Sequence, residues 1–259
     1  MKRKVWLGRA LVAVLTIGAW ETAARLRWID PFFSSKPTDI AARMVELASS
    51  GTIWPHLGAT VTEAVLSFVF GSLLGVTVGF LLARSRYWSK VLEPFIHVAN
   101  ALPRVVLAPL FLLWFGLGLG SKVALGVTVV FFLVFYNTFQ GVRDVPQRLI
   151  DNVRLLGASE RQLARHVLLP SALAWIFSSL HISAGMAIIA AVVGEYLGSS
   201  RGVGYLIAQA ESVFDTTGVF AGMAYLAGVV LIIASLVGRA ERRLLRWKSG
   251  ITGGPDGLI

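Results

Sequence analysis

The chain has 259 residues, of which 56% are hydrophobic and 15% charged, and its mean hydropathy is +0.71. So little charge cannot clothe a water-soluble surface, which excludes a soluble globular domain and places the chain in a bilayer. The formal charge of +10 does not signal nucleic-acid binding, because the basic residues follow membrane topology, and the lack of cysteine excludes disulfide and thiol chemistry.

Crossing roughly 30 Å of hydrocarbon takes about 20 apolar helical residues. Six runs meet or approach that length: Val5 to Ala24, Ala59 to Ala83, Val91 to Phe115, Val123 to Gly141, Trp175 to Gly194 and Val219 to Val237. The expectation is an all-α polytopic membrane protein with six transmembrane helices. It divides into an N-terminal span within 1–30, an outer segment 31–58, a core of five spans over 59–247 and a tail 248–259.

The first run follows Met1-Lys2-Arg3-Lys4 like a signal peptide, but it is too long for that role. Glu21, Arg25 and Arg27 also make a poor cleavage context, so it reads as an uncleaved span. In the outer segment, Ser35-Lys36-Pro37-Thr38 opens a short interfacial helix with Ile40, Met44, Val45, Leu47 and Ala48 on one face. Gly71, Gly75 and Gly79 then recur every four residues in the second span, leaving a bare face for another backbone.

The third span carries Glu93, His97, Asn100 and Arg104 at helical spacing, with Pro94, Pro103 and Pro109 in the same segment. Insertion of a charge near a bilayer centre costs about 2.5 to 3.5 kcal/mol, so this stripe should face protein or water. Two readings stay open: His97, Asn100 and Arg104 line a hydrophilic pathway for an anionic or polar solute, or they satisfy neighbouring helices. Before the fourth span, Gly116, Gly118 and Gly120 precede Ser121-Lys122 without the spacing of a phosphate-binding loop, so the segment reads as an outer turn.

The polar segment 142–170 is rich in arginine. Gly157 sits at a turn, Ser159 and Gln162 have capping-box spacing, and Leu168-Leu169-Pro170 closes the segment. Two short helices at a membrane surface suit it, and it reads as a docking element. In the fifth span Ser183, Ala187, Ala190 or Ala191, and Gly194 repeat the small-residue stripe, as Gly218 and Gly222 do at the start of the sixth. Between these spans, Gly194-Glu195 and Gly202-Val203-Gly204 suggest a re-entering turn and a short interfacial helix.

The basic residues fix the expected orientation. One side holds Lys2, Arg3, Lys4, Arg84, Arg86, Lys90, Arg143, Arg148, Arg154, Arg161, Arg165, Arg239, Arg242, Arg243, Arg246 and Lys248. The other keeps mainly Arg27, Lys36, Arg43, Lys122 and Arg201, diluted by acidic residues, so both termini are expected in the cytoplasm. Glu21, Glu63, Glu93 and Glu195 all fall near predicted span ends, which argues against a proton-coupled carrier. No catalytic residue, cofactor site or metal site is expected: His97 and His181 lack a metal-like partner set, and His56 and His166 lie outside the spans.

Residues 151–170 resemble the EAA loop of permease subunits in bacterial ABC importers, whose pattern is roughly E-A-A-x3-G-x9-I-x-L-P. Gly157, Leu169 and Pro170 match, and Val167 stands for Ile, while Asp151, Asn152 and Val153 replace Glu-Ala-Ala. Further likenesses at Ala101-Leu102-Pro103, Trp114-Phe115-Gly116, Tyr136-Asn137-Thr138 and Gly202-Val203-Gly204-Tyr205 are similar to the branch that imports nitrate, taurine and other sulfonates. The resemblance implies a type I ABC importer permease in the bacterial plasma membrane, without its own catalytic site. Its implied partners are an ABC ATPase, a periplasmic or lipid-anchored solute-binding protein and a second permease chain forming a homodimer.

By the same resemblance, ATPase coupling would fall to Asp151, Leu155, Leu156, Gly157, Ala158, Ser159, Leu169 and Pro170. Contact with the binding protein would fall to Gly198, Arg201, Gly202 and Gly204. The solute expected is a small nitrate-, sulfonate- or taurine-like anion. The alternatives are a pyrimidine or other vitamin precursor in the same importer class, and an ion-coupled secondary transporter.

Overall fold

The structure, a computed structural model, describes residues 2–244. The expected tail 248–259 lies outside the described residues, as do Arg246 and Lys248. Among the described residues the secondary structure is helical throughout. Five stretches are long and apolar enough to cross a membrane: Lys4–Arg25, Ile53–Arg84, Leu119–Arg143, Glu160–Leu197 and Thr216–Arg239.

The third expected span, Val91 to Phe115, is broken. Helix α5 (Arg86–Ala101) ends at Leu102, and the chain turns by 84° through a short 3-10 turn at Arg104–Leu107 into α6 (Ala108–Phe115). Pro103 explains the break, since it forces Leu102 out of the helical region, to φ −66° and ψ 128°. A single helix over Val91 to Phe115 is therefore corrected to a bent pair.

Helix α1 (Lys2–Arg25) is peripheral, with only 6% of its apolar window buried, and it touches α2 (Pro31–Ser34) and α3 (Pro37–Ser49). The centre is α4 (Ile53–Arg84), α7 (Leu119–Arg143) and α10 (Leu169–Leu197), with α4 and α7 packed most extensively. The glycine stripe makes that approach possible. A Cβ on Gly75 would lie 2.9 Å from both the Phe131 carbonyl oxygen and Val134 Cβ, and one on Gly79 would lie 2.8 Å from the Phe135 carbonyl oxygen. Ala64, Val130, Val134, Ala187, Ile188 and Ala191 form the core where the three helices meet.

Helices α8 (Gln147–Leu155) and α9 (Glu160–Leu163) make the polar loop. From α9 the helix runs on through a π turn at Ala164–Leu168 into α10, so Leu169 and Pro170 do not close the segment as expected. The widened turn accommodates Pro170, which has no N–H to donate. Helix α11 (Val203–Ser212) re-enters against α10 and α4 before the last helix, α12 (Thr216–Leu244). It is the short helix expected after Gly202-Val203-Gly204.

Candidate functional site

The loop at the α8–α9 end is a built turn. Gly157 takes a left-handed φ of +86°, and its amide donates to the Arg154 carbonyl at 2.9 Å. The Ser159 capping box is formed: the Gln162 amide donates to Ser159 Oγ at 3.3 Å, and the Ser159 amide donates to Gln162 Oε1 at 2.8 Å. Arg154 ties the two helices together through Glu160, with Nη2–Oε1 at 2.8 Å.

At the tip of this braced turn Leu155 is 85% exposed and Leu156 86%. Two leucines are thus presented to solvent at the tip of a capped turn. Asp151 is exposed on the same helix and accepts from Gln147 Nε2 at 2.9 Å. Gly157 and Ser159 are exposed at the turn and Ala158 is half-buried, while Leu169 and Pro170 belong to the first turn of α10.

The polar stripe survives the break in its helix. Arg104 Nη2 donates to the Asn100 side-chain oxygen and, at 3.3 Å, to the Asn100 carbonyl. Its guanidinium lies 5.2 Å from the Phe132 ring centroid, a cation–π contact from α7. Arg104 Nε is buried with no hydrogen-bond partner among the described residues. His97 is exposed, 3.9 Å from Glu93 Oε1, with its ring Nδ1 3.5 Å from the Tyr136 hydroxyl. His97, Asn100 and Arg104 therefore face α7 along one side of the bent pair, joined by Tyr136 and Phe132.

At the other end of the bundle the chain holds a polar cluster that hydropathy hid. Glu195 is 1% exposed; its Oε1 accepts from Thr60 Oγ1 at 2.6 Å and its Oε2 from the Gly204 amide at 2.7 Å. Thr60 Oγ1 in turn accepts from the Val203 amide at 2.9 Å, and His56 Nδ1 accepts from the Gly202 amide at 3.1 Å. Glu195 and Thr60 thereby satisfy the open N–H groups at the start of α11.

Gly202 and Gly204, expected at the binding-protein contact, are instead buried against this carboxylate and shape the loop, while Arg201 is exposed and Gly198 half-buried. Lys122, expected in an outer turn, is 0% exposed inside α7 and donates to the Leu117 carbonyl and, at 3.1 Å, to that of Gly118. Those carbonyls lie just past the end of α6, where a cation is favoured. Glu63 is 4% exposed and Glu195 1%, so these two residues, expected near span ends, are buried there. The sequence signal near this cluster was the turn suggested by Gly194-Glu195 and Gly202-Val203-Gly204, and nothing in it paired Glu195 with Thr60.

Among the described residues, no group of three or more His, Cys, Asp or Glu side chains is placed to hold a metal ion.

The family model for the binding-protein-dependent transport system inner membrane component matches residues 71–246. An aliphatic sulfonates transport permease protein of Bacillus subtilis (strain 168), SsuC, is 34% identical over 97% of this chain and 91% of its own length. The riboflavin transport system permease protein RibX of Chloroflexus aurantiacus is 34% identical over 96% of this chain and 94% of its own. The taurine transport system permease protein TauC of Escherichia coli (strain K12) is 31% identical over 95% and 91%.

Among solved structures, an inward-facing form of the MetNI methionine ABC transporter superposes with a TM-score of 0.66 at 20% identity. It covers 74% of this chain and 97% of that one. A bacterial ABC transporter that imports alginate gives 0.66 at 15% identity over 93% and 96%. Both likenesses concern the fold.

Proposed function

The chain belongs to the family of binding-protein-dependent transport system inner membrane components, the permease subunits of ABC importers, and on that premise we propose that it forms the pathway for a small organic or inorganic anion of the sulfonate or taurine kind. Membership removes the ion-coupled secondary transporter from consideration.

The observation that carries the coupling half of this reading is the Leu155–Leu156 tip, 85% and 86% exposed on a turn locked by Gly157 and the Ser159 capping box. The tip docks in a groove of a separate ATPase, which supplies the hydrolysis this chain does not perform. Asp151 and Ala158 flank the contact, and the helical run from Leu169 and Pro170 carries its displacement into α10. Movement of the docked tip shifts the bundle between two states as a rigid-body change.

On the opposite side, Arg201 and the loop from Gly198 form the contact for a solute-binding protein, held in place from behind by Gly202, Gly204 and Glu195. A second copy of the chain completes the pathway, and the assembly sits in the bacterial plasma membrane with both termini inside. Along the pathway, Arg104 provides the anion-binding charge, with Asn100 and His97 beside it. The unpartnered buried Arg104 Nε supports this assignment, since a donor left open inside a bundle is completed by an acceptor that arrives from outside.

A second solute class has a specific support: the riboflavin permease is as similar as the sulfonate one, at 34% identity. The aromatic groups near Arg104, Phe132 and Tyr136, suit a flat ring such as a pyrimidine vitamin precursor.

The test is purification of tagged chain from its native membrane in mild detergent, with mass spectrometry of co-eluting proteins, for wild type and Gly157→Trp. A nucleotide-binding subunit present with wild type and lost with the variant is the expected result. Elution of both chains alone would overturn the docking assignment.

A further inference from the structure

A cavity of about 790 Å³ opens beside the α8 turn, between the end of α4, the start of α5 and the end of α7. Arg84, Arg86, Arg143 and Arg154 line it against a single carboxylate, Glu160, an excess of three positive charges. Glu160 is committed to Arg154 at 2.8 Å. The other three arginines form no ion pair among the described residues. Arg86 reaches Gln147 Oε1 at 3.4 Å, Arg143 donates to Ser89 Oγ at 3.0 Å, and Arg84 stands 5.9 Å from the Phe80 ring centroid.

The wall behind them is apolar: Val142, Val145, Leu163 and Leu168, all at most 6% exposed, form one packed cluster there. Tyr87 lines the cavity and is 70% exposed, and its ring meets that of Trp88, 56% exposed, edge to face at 5.4 Å. Basic heads, an apolar wall and an aromatic pair at the level where α4 and α7 end are the components of a headgroup site at a bilayer interface.

We propose that this cavity binds the phosphate headgroup of an anionic phospholipid, held by Arg84, Arg86 and Arg143, with the acyl chains running out past Tyr87 and Trp88. An acidic protein segment would satisfy the arginines but would leave the exposed rings of Tyr87 and Trp88 without a partner. Ile150 and Arg154 of α8 line the same cavity as Arg84, Ser85 and Arg86, so the lipid links the α4–α5 turn to α8. Only the leaflet assigned to it, the cytoplasmic one, rests on the orientation proposed above.

The experiment is native mass spectrometry of the full chain in neutral detergent, titrated with phosphatidylglycerol, with phosphatidylcholine, or with phosphatidylglycerol in the presence of excess inorganic phosphate. Phosphatidylglycerol is retained in preference to phosphatidylcholine, and free phosphate does not displace it. Each arginine removed weakens retention about fivefold, so Arg84→Gln with Arg86→Gln weakens it about 25-fold, while Arg9→Gln on α1 leaves it unchanged. If the double variant does not insert, the single variants carry the same expectation at about fivefold each. Equal retention of both lipids, undiminished retention in the variants, or full displacement by inorganic phosphate would each overturn the lipid assignment. None of these results depends on whether an ATPase docks at the tip.

Discussion

Glu195 and Gly202 meet so closely that only a glycine fits: a Cβ on Gly202 would lie 2.1 Å from the Glu195 Cδ, and the Gly202 backbone holds a φ of +112°. Gly202→Ala therefore combines a steric collision with a disfavoured backbone and costs about 3 kcal/mol. Thermal unfolding in detergent reads this as a clear loss of stability. Gly58→Ala is the matched comparison, since Gly58 is helical with open space around its Cα, and that change is neutral or raises stability by up to about 1 kcal/mol.

The α4–α7 interface depends on the absence of a side chain at Gly75, where a Cβ would meet the Phe131 carbonyl oxygen and Val134 Cβ at 2.9 Å. Gly75→Leu forces the two helices apart and removes the contacts that build the core. The expected outcome is at least about 3 kcal/mol of lost stability, seen as aggregation on size-exclusion chromatography at temperatures the wild type survives.

Leu155→Asp with Leu156→Asp separates folding from docking. Both residues are more than 80% exposed, so the isolated chain keeps its stability to within about 0.5 kcal/mol and unfolds at an unchanged temperature. Recovery of the ATPase in a pull-down, by contrast, falls to background. A matching fall in the unfolding temperature would show the leucines to be part of the fold.

Arg104→Ala removes the donor to Asn100, the cation–π contact with Phe132 and the proposed anion contact together. Uptake at low solute concentration falls about tenfold or more, the scale of a charge-assisted hydrogen bond, while the ATPase still co-purifies. Arg104→Lys restores charge without the planar fork and recovers only part of the uptake. Normal uptake by Arg104→Ala would assign the residue to helix packing alone.

Much of this was legible in the sequence because it depends on local pattern. The places of the spans, the glycine stripe of Gly71, Gly75 and Gly79, the Ser159 capping box and the re-entering α11 all follow from spacing and residue chemistry, although the second and fifth helices run longer than their apolar cores. The bend at Leu102–Pro103 was signalled by Pro103, yet apolar continuity on both sides outweighed it in a hydropathy reading. The burial of Glu63, Lys122 and Glu195 escaped notice for a different reason. A charge is tolerated inside a bundle only when remote groups satisfy it, and the partners of Glu195 are Thr60 on another helix and the Gly204 amide. Spacing along one chain does not reveal such pairs.

Because the chain contains no cysteine, Leu156→Cys introduces a unique thiol at the tip of the turn. The most direct measurement is cross-linking from that thiol, with a short bifunctional reagent, in native membranes. The expected product is an adduct with a nucleotide-binding subunit whose yield changes when ATP is added. Absence of that adduct while the subunit is present in the membranes, or modification of the thiol by a membrane-impermeant reagent applied outside intact cells, would contradict docking at Leu155 and Leu156.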